Sequence, residues 1–521
     1  MGIALVGTMA SKQRGRGVND RCIRVGVCVA GSPIARWLPV TLKEFNHVRM
    51  EFIEIRLTEF PRRRLAHRLY SRVENRAFRT AQKSTPPDTG EVLYAEAIEL
   101  GDVPVSGLDL VICSGEHTDL FLDAQFRFGT WTVVLSASGR SSRTAPGFWE
   151  SLQALPVTES RLECNLGDRR LLLDRTFSPT YLLSPAVNLN SVACSAAAML
   201  NRQLRSLIEA PDTYIETSGA EVSVFRYEHD EPGIVDLLRF FIVQISRLLR
   251  EYVHKKFYWV RWRMRYRIGD SDFQEISQPE DEFWADPSLV SSDGSTYLFF
   301  EVYTRKRERG HLSVMKWHDD HWGEPEEVLL KDFHLSYPHV IETDGSFYMV
   351  PETKKTGCIQ LYACEEFPRQ WRFVVNLMEN IKAADTTLFL KDGLWWMFTC
   401  ITEGYERGCE NTHLFYSESL ESTDWKPHPL NPIVSDARAG RPAGEIYQED
   451  GRWFRPVQNS CYDYGYGLSL YEICEISKTT YQEKQVLSLF PESLPDSRGI
   501  HAWTRRGDIT VIDSMEQLSR F

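Results

Sequence analysis

The sequence contains no uninterrupted apolar run of about 18 residues, the length at which a stretch becomes a candidate membrane-spanning helix. Its opening, MGIALVGTMASKQRGRG, places the charges after the apolar stretch, which reverses the order found in a secretory signal peptide. The 11 cysteines are scattered, odd in number and form no CxxC pair, which is typical of free thiols in a reducing compartment. These absences predict a cytoplasmic protein without a transmembrane segment.

Positive charge is also in deficit. The 60 Lys and Arg residues face 72 Asp and Glu residues, giving a net charge of −12 and a pI near 5.7. This balance argues against a nucleic-acid partner, despite the basic stretches Lys12 to Arg16 and Pro61 to Arg64. The glycines after the first predicted strand, Gly26 and Gly31, do not form a dinucleotide fingerprint, so we predict no cofactor. A length of 521 residues with 42% hydrophobic residues indicates two or three globular domains.

The C-terminal half repeats one pattern of apolar strand, turn and second apolar strand. The repeated lines are FWADPSLVSSDGSTYLFFE from Phe283, LSYPHVIETDGSFYMVPE from Leu335, AADTTLFLKDGLWWMFTC from Ala383, GRPAGEIYQEDGRWFRPVQ from Gly440 and GIHAWTRRGDITVIDS from Gly499. Their turn glycines are Gly294, Gly345, Gly393, Gly451 and Gly507. Asp-Gly between apolar runs favours a tight hairpin, because such a turn needs positive φ. Repeated hairpins with a period of about 50 residues predict an all-β five-bladed propeller.

The register of the repeat aligns polar side chains. Counting back eight residues from each turn glycine gives Asp286, Tyr337, Asp385, Ala443 and Gly499, and counting forward seven gives Glu301, Glu352, Cys400, Gln458 and Ser514. Strands alternate faces with period two, so equivalent positions point the same way in every blade. The first strand of each blade lines the channel, and we therefore expect these acids to converge on one mouth. The alternative is that Asp286 and Asp385 only cap strand starts or brace neighbouring blades.

The segment from about Phe283 to Asp513 resembles the five-bladed propeller of family 43 glycoside hydrolases and their arabinanase, levansucrase and invertase relatives. The resemblance rests on Ala285-Asp286-Pro287, on Asp385 at the start of DTTLF, and on Gly499-Ile500-His501. A second resemblance is closer, to the propeller domain that precedes the transferase domain of plant glucosamine inositolphosphorylceramide transferases. The sequences that carry it are SYPHV from Ser336, Pro351-Glu352, Phe367-Pro368 with Trp371, and GRPAG…RPVQ from Gly440 to Gln458.

The hydrolase resemblance implies that Asp286 is the general base and that Asp385 is a second acid that orients the acid catalyst. In the hydrolases a Glu begins the inner strand of the fourth blade, where this chain has Arg441 followed by Glu445. Glu445 would lie on the same face as Arg441, about 13 Å along the strand. Either Glu445, Glu352 or Glu301 therefore serves as the general acid, or Arg441 marks a site for an anionic substrate such as a phosphosugar.

Further polar residues are expected to bind substrate at the same mouth. The predicted set is Glu301, Tyr337, His339, Glu352, Arg441, Gln458 and His501. His501 corresponds to a position that sits beside a cation in some relatives, but a lone His is more often structural, and we predict no metal. The loop CYDYGYG from Cys461 to Gly467 is suited either to stacking on sugar faces or to packing between blades.

The N-terminal half alternates short apolar strands with helical stretches, which predicts an α/β doubly wound domain. The strands are predicted over Arg24 to Ala30, Met50 to Leu57, Leu108 to Cys113 and Trp131 to Leu135, and the helices over Thr41 to Glu44 and Leu65 to Thr80. From Gly107 to about Leu207 the chain resembles folate-dependent formyltransferases such as methionyl-tRNA formyltransferase, through LDLVICSG, GTW and PGFWESL…PVTESRLE. The Asn and His of that family are missing and only Asp168 matches, so we expect a degenerate fold kept for binding, shape or contact with the propeller.

A connecting segment has apolar residues at 237, 238, 241, 242, 245, 248 and 249, which predicts an amphipathic helix. The stretch from Phe257 to Tyr266 that follows alternates rings with Arg and predicts an outer strand that closes the propeller. The two together either pack between domains or contact a membrane surface. The predicted organisation is a flexible tail over 1–20, a formyltransferase-like domain over 21–215, a helical linker over 216–265 and the propeller over 266–521.

Two functions remain open. One is a carbohydrate-active enzyme of glycoconjugate metabolism that hydrolyses or transfers a glycosyl unit at the channel mouth. The other is a non-catalytic module, built from two degenerate enzyme folds, that binds a sugar or a partner. The expected ligand is a sugar or glycoconjugate, phosphorylated or lipid-linked in some cases, with peripheral membrane contact as a further option.

Overall fold

A computed structural model describes most of the propeller region and part of the N-terminal region. The described residues are 22–29, 33–38, 42, 45, 50–56, 96–99, 107–114, 120–121, 125–136, 145, 147–217, 219–222, 232–304, 306–402 and 408–519. The helix predicted over Leu65 to Thr80 and the tail over 1–20 lie outside these ranges, as does all but position 42 of the helix predicted over Thr41 to Glu44.

The N-terminal region forms an eight-stranded mixed sheet. Its strands in chain order are β1 Ile23–Cys28, β2 Met50–Arg56, β3 Glu96–Glu99, β4 Leu110–Ser114, β5 Thr130–Val134, β6 Val157–Leu166, β7 Arg169–Pro179 and β8 Ala220–Glu221. The sheet order is β3-β2-β1-β4-β5-β6-β7-β8; pairs from β3 to β5 are parallel and pairs from β5 to β8 are antiparallel. Strands in a parallel sheet are covered on both faces, which explains the continuous apolar sequences of β1, β4 and β5.

Four α-helices fall in the described residues. They are α1 Phe148–Gln153, α2 Pro185–Glu209, α3 Tyr214–Thr217 and α4 Ile234–Phe257, with single 3₁₀ turns over Pro33–Arg36, Lys354–Thr356 and Pro491–Ser493. Ser184 caps α2 by accepting a hydrogen bond from the Val187 backbone N–H at 3.2 Å. The apolar face of α2, including Ala196 and Leu200, packs into one core with Val25 and Trp131 of the sheet. Among the described helices, none combines the length and apolar character that crossing a bilayer requires.

The C-terminal region is a five-bladed all-β propeller, as predicted. Blade one holds β11 Glu282–Ser292, β12 Ser295–Thr304, β13 Arg309–His318, β14 His321–Trp322 and β15 Glu326–Leu329. Blade two holds β16 Ser336–Thr343, β17 Ser346–Glu352, β18 Cys358–Glu366 and β19 Gln370–Glu379. Blade three holds β20 Ala383–Lys391, β21 Leu394–Ile401, β22 Asn411–Ser417, β23 Lys426–Pro427 and β24 Val434–Ser435. Blade four holds β25 Arg441–Pro442, β26 Tyr447–Glu449, β27 Arg452–Asn459, β28 Gly467–Ile476 and β29 Tyr481–Leu489.

The fifth blade joins the two ends of the propeller sequence. It contains β9 Tyr258–Ile268, β10 Gln274–Glu275, β30 Ser497–Gly499, β31 Trp503–Arg506 and β32 Ile509–Ser519. Strand β9 pairs with β32 along its whole length, from Ile268 opposite Ile509 to Tyr258 opposite Ser519. The strand predicted over Phe257 to Tyr266 is therefore present as β9, Tyr258–Ile268. It is not the outermost strand of its blade, because β10 pairs with its other edge. A buried ion pair fastens the ladder, with Glu516 Oε1 2.6 Å from Arg261 Nη2 and 2.9 Å from Arg263 Nη2.

All five repeated turns are tight hairpins. The turn glycines Gly294, Gly345, Gly393, Gly451 and Gly507 all have positive φ. The residue before the glycine, Asp in the first four turns, also has positive φ there, and two residues separate the paired strand ends in each blade. Consecutive positive φ values are those of the turn type that matches the twist of paired strands. The turn positions predicted from these glycines are found in blades one to four. In blade five Arg506 pairs with Ile509, so Gly507 is the first turn residue and the predicted count is shifted by one.

The N-terminal sheet contacts the propeller beside blade four. The backbone N–H of Ala437 donates to the carbonyl of Phe177 at 2.9 Å, and the guanidinium of Arg438 lies 4.5 Å from the Phe177 ring centre. Ser195 of α2 donates to Glu410 at 3.0 Å, and both side chains are buried. The segment that carries Ala437 runs directly into β25.

Candidate functional site

Three equivalent first-strand residues share one unusual backbone conformation. Asp286, Tyr337 and Asp385 have φ values of 53°, 47° and 51°, in the left-handed region that non-glycine residues rarely adopt. At each of them the pairing with the second strand is interrupted by a β-bulge. Bulges re-aim side chains and are frequent beside functional sites. The same local distortion therefore recurs at the equivalent position of three blades.

The second-strand polar residues lie next to these bulges. Glu301 pairs with Ala285, and Glu352 pairs with Ser336, each directly before the bulged residue. Blade four places Gln458 opposite Arg441 at the equivalent position. The predicted convergence of polar side chains at one mouth is therefore present in the structure, in blades one to four.

An imidazole ring sits between two carboxylates on the side of blades five and one. His501 Nε2 lies 3.2 Å from Asp286 Oδ1, and His501 Nδ1 lies 2.7 Å from Asp513 Oδ2. Burial lowers the pKa of His501, but the charges of Asp513 and Asp286 outweigh this effect and raise the pKa to about 10. The ring is therefore an imidazolium at neutral pH. Asp513 also accepts from the backbone N–H groups of Asp286, His501 and Ala502 at 2.8 to 3.1 Å.

A second ion pair occupies the side of blades two to four. The fork of Arg441 donates to Asp385 from Nε at 2.6 Å and from Nη2 at 3.1 Å, and Nη2 also lies 3.3 Å from Glu352. Gln458 Nε2 donates to Asp385 at 2.7 Å. Asp385 occupies the Arg441 fork in this arrangement, and the role of Arg441 at a site for an anionic substrate stays a prediction. Arg441 instead holds Asp385 and Glu352 together.

Two buried carboxyl groups of the cluster have raised pKa values. Burial, reinforced by the charge of Asp385 and opposed by Arg441, raises the pKa of Glu352 to about 8. Burial, followed by the charge of Asp286, raises the pKa of Glu301 well above its ordinary value. Unpaired carboxylates are costly in a buried site, so protonation is the cheaper state. The mouth thus combines Glu352, which is mostly protonated at neutral pH, with aspartates that are paired to cations.

An aromatic wall borders the two ion-pair groups. The ring of Trp262, from β9, lies 4.0 Å from the His501 ring centre, and Tyr464 meets the same imidazole edge-on at 5.4 Å. The Arg441 guanidinium lies 5.0 Å from the Tyr464 ring centre. Gly465 lets the loop approach this closely, since a Cβ there would lie 2.7 Å from the Trp262 ring. Tyr462 and Tyr464 remain exposed, as the stacking interpretation of this loop requires.

Tyr337 and His339 are held by neighbouring blades. The Tyr337 hydroxyl lies 2.7 Å from the Thr387 hydroxyl, and both are buried. His339 Nε2 accepts from the Leu388 N–H at 3.0 Å, and burial lowers its pKa to about 4, so the ring is neutral. His339 therefore braces the inner strands of blades two and three, which departs from the predicted substrate-binding position.

Glu445 does not join the other predicted catalytic residues. It lies near the hairpin-turn end of the channel, where it accepts from Arg506 Nη2 at 2.5 Å. A cavity of about 710 Å³ opens there, lined by Glu445, His339, Arg506 and other residues near the turns. Burial raises the pKa of Glu445 to about 7, although Arg506 opposes the shift. The role of Glu445 as the acid partner of Asp286 and Asp385 stays a prediction, and its observed partner is Arg506.

Sequence reasoning missed two residues of this mouth. Asp513 and Trp262 are not among the predicted site residues, although each contacts His501, as does Tyr464 of the loop predicted to stack on sugars. Asp513 has a detectable signal, since it interrupts the apolar strand ITVIDS, where a charge requires a partner. Trp262 comes from β9, which is remote in sequence, and only the pairing of β9 with β32 in blade five brings it next to His501.

A metal ion has one candidate location among the described residues. Asp286, His501 and Asp513 offer ligand atoms that all lie within 4.8 Å of one another. Two carboxylates and an imidazole form a plausible ligand set for a divalent ion. Binding would require His501 to lose the proton that its neighbours stabilise.

Asp168, the residue matched to the formyltransferases, is distant in sequence from this cluster and exposed in the turn between β6 and β7.

Comparisons with known proteins place the propeller among carbohydrate-related sequences. Residues 271–517 match the family model described as glucosamine inositolphosphorylceramide transferase 1, N-terminal. The chain is 32% identical over 227 residues to glucosamine inositolphosphorylceramide transferase 1 of Oryza sativa subsp. japonica, covering 42% of this chain and 30% of that protein. The Arabidopsis thaliana protein of the same name is 31% identical over 228 residues, covering 42% and 29%. The chain thus spans less than a third of the length of these curated relatives.

Solved structures similar to the chain include two sugar hydrolases. The catalytic domain of a Coprinopsis cinerea GH62 alpha-L-arabinofuranosidase has 12% identity and a TM-score of 0.37, covering 48% of this chain and 97% of that one. The Cellvibrio cellulosa alpha-L-arabinanase complexed with arabinohexaose has 13% identity and a TM-score of 0.31, covering 39% and 77%.

Proposed function

We propose that the propeller mouth binds a sugar unit of a glycoconjugate and cleaves or transfers its glycosidic bond. The observation that carries the proposal is the pairing, in one cluster, of the Asp286 carboxylate with a carboxylic acid, Glu352, whose pKa is about 8. Glycosidic cleavage with inversion needs one carboxylate to activate the nucleophile and one protonated carboxyl to protonate the leaving oxygen.

In this mechanism Asp286 removes a proton from the attacking water or acceptor hydroxyl, and Glu352 gives its proton to the departing glycosidic oxygen. Asp385 and Arg441 position Glu352, and the charge of Asp385 helps to keep it protonated. Trp262 and Tyr464 offer faces on which a sugar ring can stack. Of the predicted substrate-binding residues, Glu301, Tyr337, Gln458 and His501 would also contact the sugar in this proposal.

The name of the curated relatives indicates the ligand class to test. Those proteins carry the name glucosamine inositolphosphorylceramide transferase 1. We extend to this chain a ligand of that chemistry, an amino sugar or an inositol phosphate joined to a sugar. The extension is a proposal because the match covers 30% of the rice protein.

A recognition module without turnover is the second candidate. Arg441 favours it, because the guanidinium neutralises Asp385 and stands where the related hydrolases begin their fourth-blade strand with a Glu. Such a site would bind a sugar through the same residues and leave its bonds intact.

The experiment combines calorimetric titration with product analysis. The ligands are glucosamine, inositol phosphate, glucosaminyl inositol phosphate and aryl glycosides, and the proteins are the wild type, Asp286→Asn, Glu352→Gln and Glu445→Gln. Turnover that is lost by at least about 100-fold in the first two variants, with binding retained and Glu445→Gln unaffected, supports the catalytic mouth. Wild-type turnover should also fall as pH rises through about 8, because Glu352 then loses its proton. Binding without turnover in all four proteins supports the recognition module and contradicts the enzyme.

For the N-terminal region we propose a binding or structural role. The contact of Phe177 and Ser195 with the segment before β25 supports a function coupled to the propeller. The doubly wound architecture, the formyltransferase resemblance, the cytoplasmic location and the domain limits at 21–215, 216–265 and 266–521 remain predictions.

A further inference from the structure

One side of helix α4 packs against the protein through both polar and apolar side chains. Gln244 Nε2 donates to the Leu182 carbonyl at 2.7 Å, and Arg247 Nη1 donates to the carbonyls of Ser151 and Leu182 at 2.7 and 2.9 Å. Leu237 and Phe240 are the buried apolar residues of the helix, packed with Phe148 and Leu152. These contacts fix the rotation of α4 about its axis.

The opposite side of α4 is apolar and exposed. Val235 is 77% exposed, Ile242 is 69% exposed and Leu249 is 60% exposed, at intervals of one heptad along the helix. A second row beside them is exposed as well and consists of Ile234, Leu238, Phe241, Ile245, Leu248 and Tyr252. Soluble proteins rarely leave a continuous apolar surface of this size in water, so it marks an interaction surface.

The width of this surface distinguishes between two kinds of occupant. A two-stranded coiled coil buries a narrow seam of residues at alternating spacings of three and four. The row from Ile234 to Tyr252 satisfies that spacing, but Val235, Ile242 and Leu249 would stay outside the seam. A helix lying in a membrane interface buries a broad apolar face, which accommodates both rows.

The charge of α4 differs in sign from that of the chain. The helix carries five Lys or Arg residues and two acids, whereas the whole chain has a net charge of −12. Arg239, Arg250, Lys255 and Lys256 are exposed. Basic residues beside an apolar face are complementary to anionic lipid headgroups.

We propose that α4 lies in the plane of an anionic membrane surface, with its exposed apolar rows in the boundary between headgroups and acyl chains. Burying the apolar side chains supplies the attraction, and the basic side chains make it depend on anionic lipid. The proposal is independent of the chemistry at the propeller mouth, because neither the residues nor the test involves the channel.

The test is co-sedimentation of the full chain with vesicles. One set contains phosphatidylcholine alone and the other contains phosphatidylcholine with phosphatidylserine. We expect binding to the second set at least about tenfold stronger, and weaker binding at high salt, because each exposed Lys or Arg contributes roughly fivefold in affinity.

Two variants with matched controls separate the two contributions. Ile242→Ser combined with Leu249→Ser should reduce binding by at least about tenfold, whereas Leu430→Ser, an exposed propeller residue, should leave it unchanged. Arg239→Gln combined with Arg250→Gln should remove most of the preference for phosphatidylserine, and Arg372→Gln on the propeller should not. Because every changed side chain is exposed, circular dichroism should show the same folded signal for all variants.

Two results would overturn the proposal. One is equal sedimentation with and without either vesicle set. The other is a dimer, detected by light scattering, that the Ile242 and Leu249 substitutions dissociate while the protein ignores vesicles; α4 would then bind a second copy of the chain.

Discussion

His501 shows how a single buried residue depends on its neighbours. Its two ring nitrogens face Asp286 and Asp513, and all three side chains are buried. A His whose pKa is raised on folding stabilises the protein below its unfolded pKa and loses that contribution as pH rises through its folded pKa. For His501 this window runs from the ordinary value of 6.5 to about 10.

Replacing His501 by Gln should therefore have a pH-dependent cost. We expect the variant to be less stable by about 3 kcal/mol at pH 6, because two buried carboxylates lose their cation. The difference should narrow as pH rises above 6.5 toward 10, since wild-type His501 then loses its proton. Urea unfolding at a series of pH values measures both quantities.

His339→Gln provides the matched control. The pKa of His339 is lowered to about 4, so the ring stays neutral between pH 6.5 and 10 and its variant should show a constant difference. A difference for His501→Gln that also stays constant would contradict the imidazolium between two aspartates.

At the scale of single residues, the sequence predicted which side chains share the mouth better than it predicted their partners. Asp286, Asp385, Glu301 and Glu352 follow from strand periodicity and the turn glycines, both local properties. The partner of Asp385 could not be derived in this way. Arg441 comes from the next blade, and only the packing of blades three and four brings its Nε to within 2.6 Å of Asp385 Oδ2.

At the scale of elements, the first strand of blade four departs from its repeats. Strand β25 consists of Arg441–Pro442 alone, and pairing resumes only at β26. Gly444 lies in the break with φ of 151°, and a Cβ there would meet the Trp503 carbonyl oxygen at 1.8 Å. The continuous first strand expected from Arg441 to Glu445 is therefore interrupted at this glycine. The hairpins were predictable from Asp-Gly, whereas this close approach depends on blade five.

Gly444→Ala should destabilise the propeller by about 3 kcal/mol or more, because the added methyl meets backbone and the φ value disfavours a side chain. Gly451→Asn is the control: its φ is 77°, open space surrounds it, and Asn tolerates the left-handed region. The control should change the free energy of unfolding by less than about 1 kcal/mol. Both free energies of unfolding are measured in urea. If the two substitutions lowered them equally, the contact with Trp503 would not be the cause of the destabilisation.

At the scale of the whole molecule, the ring is closed by the β9–β32 ladder. Glu516→Gln should cost about 3 kcal/mol, because Arg261, which is 4% exposed, loses its carboxylate partner in a buried site. Glu326→Gln, which breaks an exposed pair with Arg369, should cost less than about 1 kcal/mol. Hydrogen exchange should locate the effect of Glu516→Gln in β9 and β32. If amide protons lost protection from exchange only outside β9 and β32, the β9–β32 ladder would not be what holds the five blades in a closed ring.

The same ladder sets an order on events during synthesis. Strand β9 leaves the ribosome before all the strands of blades one to four, and β32 leaves after them. Until β32 emerges, the apolar residues of β9 and blade one that pack against Val511 have no cover from that strand. The nascent chain therefore exposes an unpaired, apolar strand edge while most of its length is already translated. The cell that makes the protein must protect that edge from aggregation until synthesis is complete.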